Sequence, residues 1–521
     1  MKYNKLLIAV LAIFSITSCV DLDTIPEGDT ATKDQKDEVV KYDPAKAIAS
    51  VNSIYGNLIT FGTISTTTTS YHSDFGYPAA CMLLDATGQD IVAPNTGYNW
   101  FSRGLDFSDR VYTSTENVFL WRFFYNHIKT ANDLLASIPM DTEDVVAKAY
   151  LGQGFANRAF AYFSLIQAFQ FNYVGSESKL GIPISKWDDP IESLNNKPRA
   201  KVEEVYSLIL DDLEKAIELL DGYKRPNNGF VDQRVAYGIR ARVNLVMQKW
   251  ADAAADAAKA KIGFTPYSKE AIAKPAFNNA KNNSSWMWGA LISETNDVVK
   301  TGIVNWPSHL CSMTGNGYTS ATGTHRMINS KLWGQIPATD VRKAWWVDEN
   351  LHSDNVEDAI GESYGFTPYT NVKFAAYKET PGETLNASDW PMMRVEEMIL
   401  IEAEGLAMSG QTGPAKALLE EFVKVNRNSN YTCAAASATA IQDEIWFQRR
   451  VELWGEGFSF YDIMRLKKPI ERKGTNFSED VQFNIPAEAK ILLYRIPAEE
   501  INASNAISEE DNNEAVPAPT L

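Results

Sequence analysis

DQRVAYGIRARVNLVMQKWADAAADAAKAKI, residues 232–262, contains two helical patterns joined with almost no linker. Val235, Ile239, Val243, Val246 and Trp250 recur at steps of three and four, the period of one face of an α-helix. Ala251, Ala255, Ala258 and Ile262 carry that period onward. The stretch therefore predicts a helix over 232–249 and an alanine-rich helix over 251–262. So short a junction folds the pair back as an antiparallel hairpin, and the small Ala faces allow close approach.

A helical hairpin of this kind is the unit of a tetratricopeptide repeat. A second pair follows the same plan: Met393 to Met408, the turn Ser409 to Gly413, then Pro414 to Val425 with proline in the first turn. The spacing between pairs is irregular, so the repeats are degenerate, and unrelated hairpins in a bundle are the competing reading. Trp121, Tyr125, Ile128, Asn132 and Leu135, and likewise Val205, Ile209, Leu213, Ala216 and Leu220, mark further amphipathic helices. Arg158 to Phe169 is apolar on most faces and predicts a helix buried between others.

Residues 63–114 and 266–390 lack this period. They are rich in Gly, Thr, Ser, Asn and aromatics, with turn signals such as Gly315-Asn316-Gly317. They predict loops and short strands inserted between helical pairs, where a rigid scaffold usually carries its binding surfaces. Seven of the 13 tryptophans fall in 266–390: Trp286, Trp288, Trp306, Trp333, Trp345, Trp346 and Trp390. Flat side chains stack on the apolar C–H faces of sugar rings while nearby Asn, Asp or Arg bind the hydroxyls, so this enrichment suggests a glycan ligand.

Charge and cysteines narrow the function further. The chain has 66 acidic against 49 basic residues, a net charge of −17. A phosphate backbone asks for a basic stripe, so no nucleic-acid partner is expected. At the start, Lys2 and Lys5, the apolar run Leu6 to Ile16, and Ser18 before Cys19 follow the order of an export signal. With Cys19 set aside, Cys81, Cys311 and Cys433 are odd in number and far apart, which is no disulfide framework. Val20 to Asp37 is nearly devoid of apolar residues and reads as a flexible tether.

Several blocks together resemble the SusD/RagB family of outer-membrane nutrient-binding lipoproteins. Ile16-Thr17-Ser18-Cys19 resembles a lipobox, with Ser where Gly or Ala is usual. Arg394 to Glu404 matches the family's arginine, acidic and aliphatic run, except that Glu402 replaces a common aromatic and Gly405 the final Ala. Gln448-Arg449-Arg450-Val451-Glu452-Leu453, Glu456-Gly457 and Tyr461-Asp462-Ile463-Met464-Arg465 form a second block, departing at Gln448, Ser459 and Leu466. Trp121 to Leu135, Arg158 to Leu165, Pro198 to Leu220 and Ile496-Pro497 support it.

The resemblance implies a mainly α, tetratricopeptide-repeat-like helical scaffold with an inserted loop-rich region containing short β-strands. It implies a signal peptide over 1–18, a tether over 19–37 beginning at a lipidated Cys19, and one SusD-like domain over 38–521. Within that domain the scaffold would occupy about 38–62, 115–265 and 391–521, and the variable ligand-binding loops about 63–114 and 266–390. Family members close as lids over a TonB-dependent outer-membrane β-barrel (SusC-like) and hand it captured nutrient, with no reaction catalysed and no cofactor. The matching binding positions are Tyr98, Asn99 and Trp100 in the loop Asn95 to Phe101, then Trp306 and Tyr318. Trp286 and Trp288 alternate in SSWMWG, so one face of that strand is expected to be buried. A core aromatic is the competing reading at every one of these positions.

An enzyme reading finds little support. His72, His127, His309, His325 and His352 show no metal-ligand spacing, and there is no nucleophile elbow or phosphate-binding loop. No compact oxygen-ligand loop marks a metal. Arg449, Arg450, Glu452, Glu456, Asp462 and Arg465 pose a choice between a charged site and an ion-pair network joining the last repeat to its neighbours. The expected ligand is an oligosaccharide or polysaccharide; a peptide-capturing lid of the same architecture and a ligand-free helical adaptor are the alternatives.

Overall fold

The computed structural model describes residues 33–98, 100–193, 196–281 and 283–520. Cys19, most of the expected tether, and Asn99 lie outside the described residues. The helices of ten residues or more are α1 (Lys33–Tyr42), α2 (Ile48–Asn57), α3 (Tyr77–Thr87), α4 (Thr115–Ser137), α5 (Val145–Phe169), α6 (Val202–Leu219), α7 (Gln233–Val246), α8 (Trp250–Ala260), α9 (Val395–Met408), α10 (Thr412–Asn426) and α11 (Ala438–Glu452). Residues 33–37, placed in the tether by sequence, form the first turns of α1.

The fold is mainly α. From α4 onward the helices stack in chain order: α5 packs on α4 and α6, α7 on α6 and α8, α8 on α9, and α9 on α10 and α11. The stack runs from α8 straight to α9, so 266–390 is an excursion from a continuous scaffold. Strands Trp286–Ala290 and Trp390–Arg394 close its base as an antiparallel pair, with Trp286 opposite Arg394 and Ala290 opposite Trp390. The other sheets are also two-stranded.

The hairpin 232–262 forms, with α7 capped by the Asp232 carboxylate, which accepts from Val235 N at 3.0 Å. Its second helix is rotated from the predicted face. Ala253, Ala257 and Ala260 are fully buried, whereas Ala251 and Ala255 are exposed and Ile262 is 66% exposed. Asp256 turns inward because Arg240 grips it through two 2.8 Å hydrogen bonds and Asn244 adds a third at 3.0 Å. Alanine on every face leaves this charged contact to set the rotation. Gly405 of α9 lets that helix lie against α8: a Cβ there would sit 2.5 Å from the Trp250 carbonyl oxygen.

Helix α5 is buried on nearly all sides, as its apolar run predicts. Helix α3 lies inside the first loop-rich stretch and every one of its residues is buried. Apolar on all faces, it carries no amphipathic period for a sequence to display. Arg472, fully buried, donates to the carbonyls of Ala86 (3.1 Å), Thr87 (2.9 Å), Gly88 (2.8 Å) and Leu105, closing the C-terminal end of α3. No carboxylate among the described residues forms an ion pair with it, and burial pushes its guanidinium down to about 9.

The charged residues of the last block form ion pairs. Asp462 accepts from both Arg449 and Arg465 at 2.7 Å, and Arg465 reaches Glu404 at 2.6 Å. Glu452 of α11 accepts from Arg427 (2.7 and 2.8 Å), Arg394 (3.1 Å) and Arg342 (3.3 Å). Glu456 accepts from Arg394 at 2.9 Å and Lys373 at 2.6 Å. With Asp340 on Arg342 and Glu396 on Arg394 and Arg427, four acids meet four bases, all with side chains no more than 3% exposed. This balanced cluster ties the inserted segment to the scaffold.

Candidate functional site

Six of the seven tryptophans of the insertion belong to its core. Trp286, Trp288, Trp306, Trp345, Trp346 and Trp390 are all below 2% exposed. The Trp306 indole donates to Ser388 O at 2.8 Å and stands edge-on to Phe374 and Trp390. Trp286 donates to the Tyr267 hydroxyl and Trp288 to Gly229 O, with Phe160 of α5 packed on the Trp288 ring. The expectation that Trp306, Trp286 and Trp288 offer faces to a ligand is therefore corrected. Both faces of the strand carrying Trp286 and Trp288 are covered, one partner coming from the scaffold.

Tyr98, Trp100 and Tyr318 meet on one side of the insertion. The loop 95–101 is fastened to 318–326 at three points: Thr96 and Thr324 hydroxyls bond at 2.6 Å, Arg326 donates to Trp100 O at 3.1 Å, and the Tyr98 and Tyr318 rings lie 5.8 Å apart. Tyr98 is 56% exposed, Trp100 is half-buried, and Tyr318 sits beneath them at 6%. The next residue, Phe101, adopts a left-handed backbone (φ 71°) that is strained for a bulky side chain. Its buried ring, edge-on to His309 and Phe75, holds that conformation and so fixes the direction of Trp100.

Two histidines complete the cluster. The His72 imidazole stacks on Trp100 with centroids 5.0 Å apart and its Nδ1 hydrogen-bonds the Tyr318 hydroxyl. His309 stacks beneath Tyr318 at 4.8 Å and its Nε2 pairs with the His72 carbonyl at 2.9 Å. Burial lowers both, His309 well below the usual range with the Arg326 charge adding to the effect. Burial raises the Tyr318 phenol, opposed by a hydrogen bond with Trp100. At neutral pH the cluster is an uncharged, pre-organised aromatic surface. No sequence spacing pointed to His72 or His309, because the stack joins residues more than two hundred positions apart.

This surface is a platform. The cavity beside Trp100, lined by Asn95, Asp106, Arg326 and Asp480, holds only about 50 Å³, room for a water or two and not for a sugar ring. The accessible members of the platform are Tyr98 and the half-buried Trp100. Among the described residues, no group of three or more His, Cys, Asp or Glu is placed to hold a metal ion. Cys81, Cys311 and Cys433 are free and buried. No helix of the described residues is long and apolar enough to cross a membrane.

The chain is a repeat-like helical stack whose two inserted segments meet in an aromatic cluster, and comparison with known proteins identifies its family. Residues 65–245 match the family described as "Starch-binding associating with outer membrane", and residues 270–513 match the SusD family. The chain belongs to the SusD/RagB family. SusD-like protein P38 of Formosa agariphila is 24% identical over 411 residues, spanning 68% of this chain and 73% of its own. The fold is shared with a SusD-like carbohydrate binding protein from Bacteroides vulgatus, with TM-score 0.72, 23% identity and coverage of 90% of this chain and 98% of that one. A SusD superfamily protein from Bacteroides thetaiotaomicron has the same TM-score at 20% identity, covering 91% and 100%.

Proposed function

We propose that this protein is a cell-surface lipoprotein that binds a glycan on the Tyr98, Trp100 and Tyr318 platform and delivers it to a TonB-dependent outer-membrane β-barrel. The observation that carries this reading is the aromatic surface built from two segments far apart in sequence and fastened together by ring contacts and a hydrogen bond. Stacking on such a surface suits the apolar faces of sugar rings, and the family description names starch binding and outer-membrane association. Lipidation at Cys19 would hold the protein beside its barrel. Binding, without catalysis, is the whole of the proposed activity.

Affinity gels containing assorted polysaccharides test it. At least one should retard the native protein, and Tyr98→Ala or Trp100→Ala should abolish most of the retardation, since one lost stacking partner is worth about 1 kcal/mol. Binding of a peptide pool with no glycan retarded would sink the sugar reading. A Cys19→Ala protein still held in the membrane fraction would remove the anchor, and failure to co-purify any β-barrel from crosslinked cells would remove the partner.

A further inference from the structure

A cleft of about 1090 Å³ opens on the insertion at a place none of Tyr98, Trp100, His72 or Tyr318 touches. It is at the upper end of the size of small-molecule sites, and some twenty times the cavity beside Trp100. Four loops form it, around residues 226–228, 278–284, 291–296 and 377–389. The Asp389 carboxylate accepts from Ala280 N (2.9 Å) and Ile292 N (2.7 Å), pinning two of those rims together. Asn228 Nδ2 donates to Ala280 O at 2.8 Å and Asn278 Nδ2 to Ala376 O at 2.8 Å, pinning the others.

Six of the lining residues are asparagines, and four of these are held by one end. Asn228 and Asn278 are anchored through their nitrogens, and their oxygens have no partner among the described residues. Asn279 and Asn296 are anchored through their oxygens, by Lys281 N and by Ser293, and their nitrogens have no partner among the described residues. The cleft thus presents fixed, uncharged donors and acceptors side by side, the pattern that hydroxyl groups, which both donate and accept, can satisfy. Lys378 is tied to Glu294 at 3.0 Å, the Asp389 carboxylate is held by two backbone N–H groups, and Lys281 adds one further charge to the lining. Leu291, Pro226 and the half-buried Tyr377 ring supply apolar area for C–H faces.

The cleft and the platform are linked through Trp306. Trp306 opens the helix that carries His309 beneath the platform, and its indole bonds Ser388, between the lining residues Ala387 and Asp389. We propose that the asparagine-lined cleft is a second carbohydrate subsite, taking a further stretch of a neutral, hydroxyl-rich glycan chain. This rests on the glycan reading of the platform, and each site can fail without the other.

The test uses the mature protein in affinity gels of amylopectin, laminarin, galactomannan and arabinoxylan. The double substitution Asn279→Asp with Asn296→Asp keeps the oxygens that anchor both loops and removes the two free donors. On the polysaccharide that retards the native protein best, the apparent Kd should rise about tenfold, the loss of two hydrogen bonds. Hydrogen exchange in 278–284 and 291–296 of the unsubstituted protein should slow when that polysaccharide is added. Unchanged affinity, or no slowing in those segments, overturns the subsite; the platform reading survives if Trp100→Ala still weakens binding. Weakening by the double substitution with none from Trp100→Ala supports the cleft and sinks the platform, while no retardation of the native protein on any gel overturns both.

Discussion

Glu452→Gln puts the balanced cluster under direct test. The side chains of Glu452, Arg342, Arg394 and Arg427 are 0% exposed, and the glutamate takes four hydrogen bonds of 2.7 to 3.3 Å from those three guanidiniums. Burial alone would raise its carboxyl, but Arg427, then Arg394 and Arg342, hold it well below the usual range. Glutamine keeps the shape and removes the charge, leaving four buried bases facing three acids. Removing one partner of a buried pair costs about 3–5 kcal/mol, because the charge left behind is unsolvated. A reference is at hand in Glu499, which pairs with Arg122 at 2.6 Å but with side chains 40% and 46% exposed; Glu499→Gln should cost below about 1 kcal/mol. Urea unfolding followed by tryptophan fluorescence reports both, since most of the insertion's indoles are buried. A Glu452→Gln protein within about 1 kcal/mol of the Glu499 variant would refute the reasoning. Loss of ligand binding at unchanged stability would refute it differently, by making the cluster a site.

Other substitutions probe separate parts of the fold. Gly405→Ala should destabilise by about 1–3 kcal/mol in the same assay, since its methyl meets backbone atoms of α8 at 2.5 and 2.9 Å; a neutral result would mean the helices separate freely. Trp306→Ala should cost about 3–5 kcal/mol and lower the melting temperature, and a variant that melted normally yet lost all glycan retention would put Trp306 back among the ligand contacts. His127 is buried and held down to about 4, with Asn157 opposing weakly, so it folds as the neutral ring. Its contribution is present above the unfolded value near 6.5 and is lost as pH falls toward 4, about 2 kcal/mol by pH 5. His127→Gln should therefore lose about 2 kcal/mol less than the native protein between pH 7 and pH 5, and parallel pH profiles would exclude this account.

The scaffold was legible wherever a helix has one wet face. α4, α6 and α7 bury the stripes their sequences mark, at Ile128 and Leu135, at Val205 to Leu220, and at Val235 to Val246. The pattern failed in two physical limits. In α8, alanine is apolar on every side and the buried Asp256 sets the rotation; in α3, every face is covered. The candidate site was legible only through resemblance, which pointed to Tyr98, Trp100 and Tyr318. Exposure itself was not: Trp288 and Trp306 are covered by Phe160, Phe374 and Trp390, partners that only the fold brings near. His72 and His309 were missed because stacking leaves no spacing to read.

Arg472 also bears on how the chain is made. The carbonyls at the end of α3 wait for a cation 385 residues further along the chain, and closing a loop of that length costs about 5 kcal/mol in chain entropy. Helix α3 is synthesised early, yet the carbonyls of Ala86, Thr87 and Gly88 gain their guanidinium only when the C-terminal block is present. Closing this end of α3 therefore waits on a long-range contact that chain entropy makes slow to form. A truncation short of residue 472 would leave those carbonyls open and unsettle the first loop-rich segment, hundreds of residues upstream.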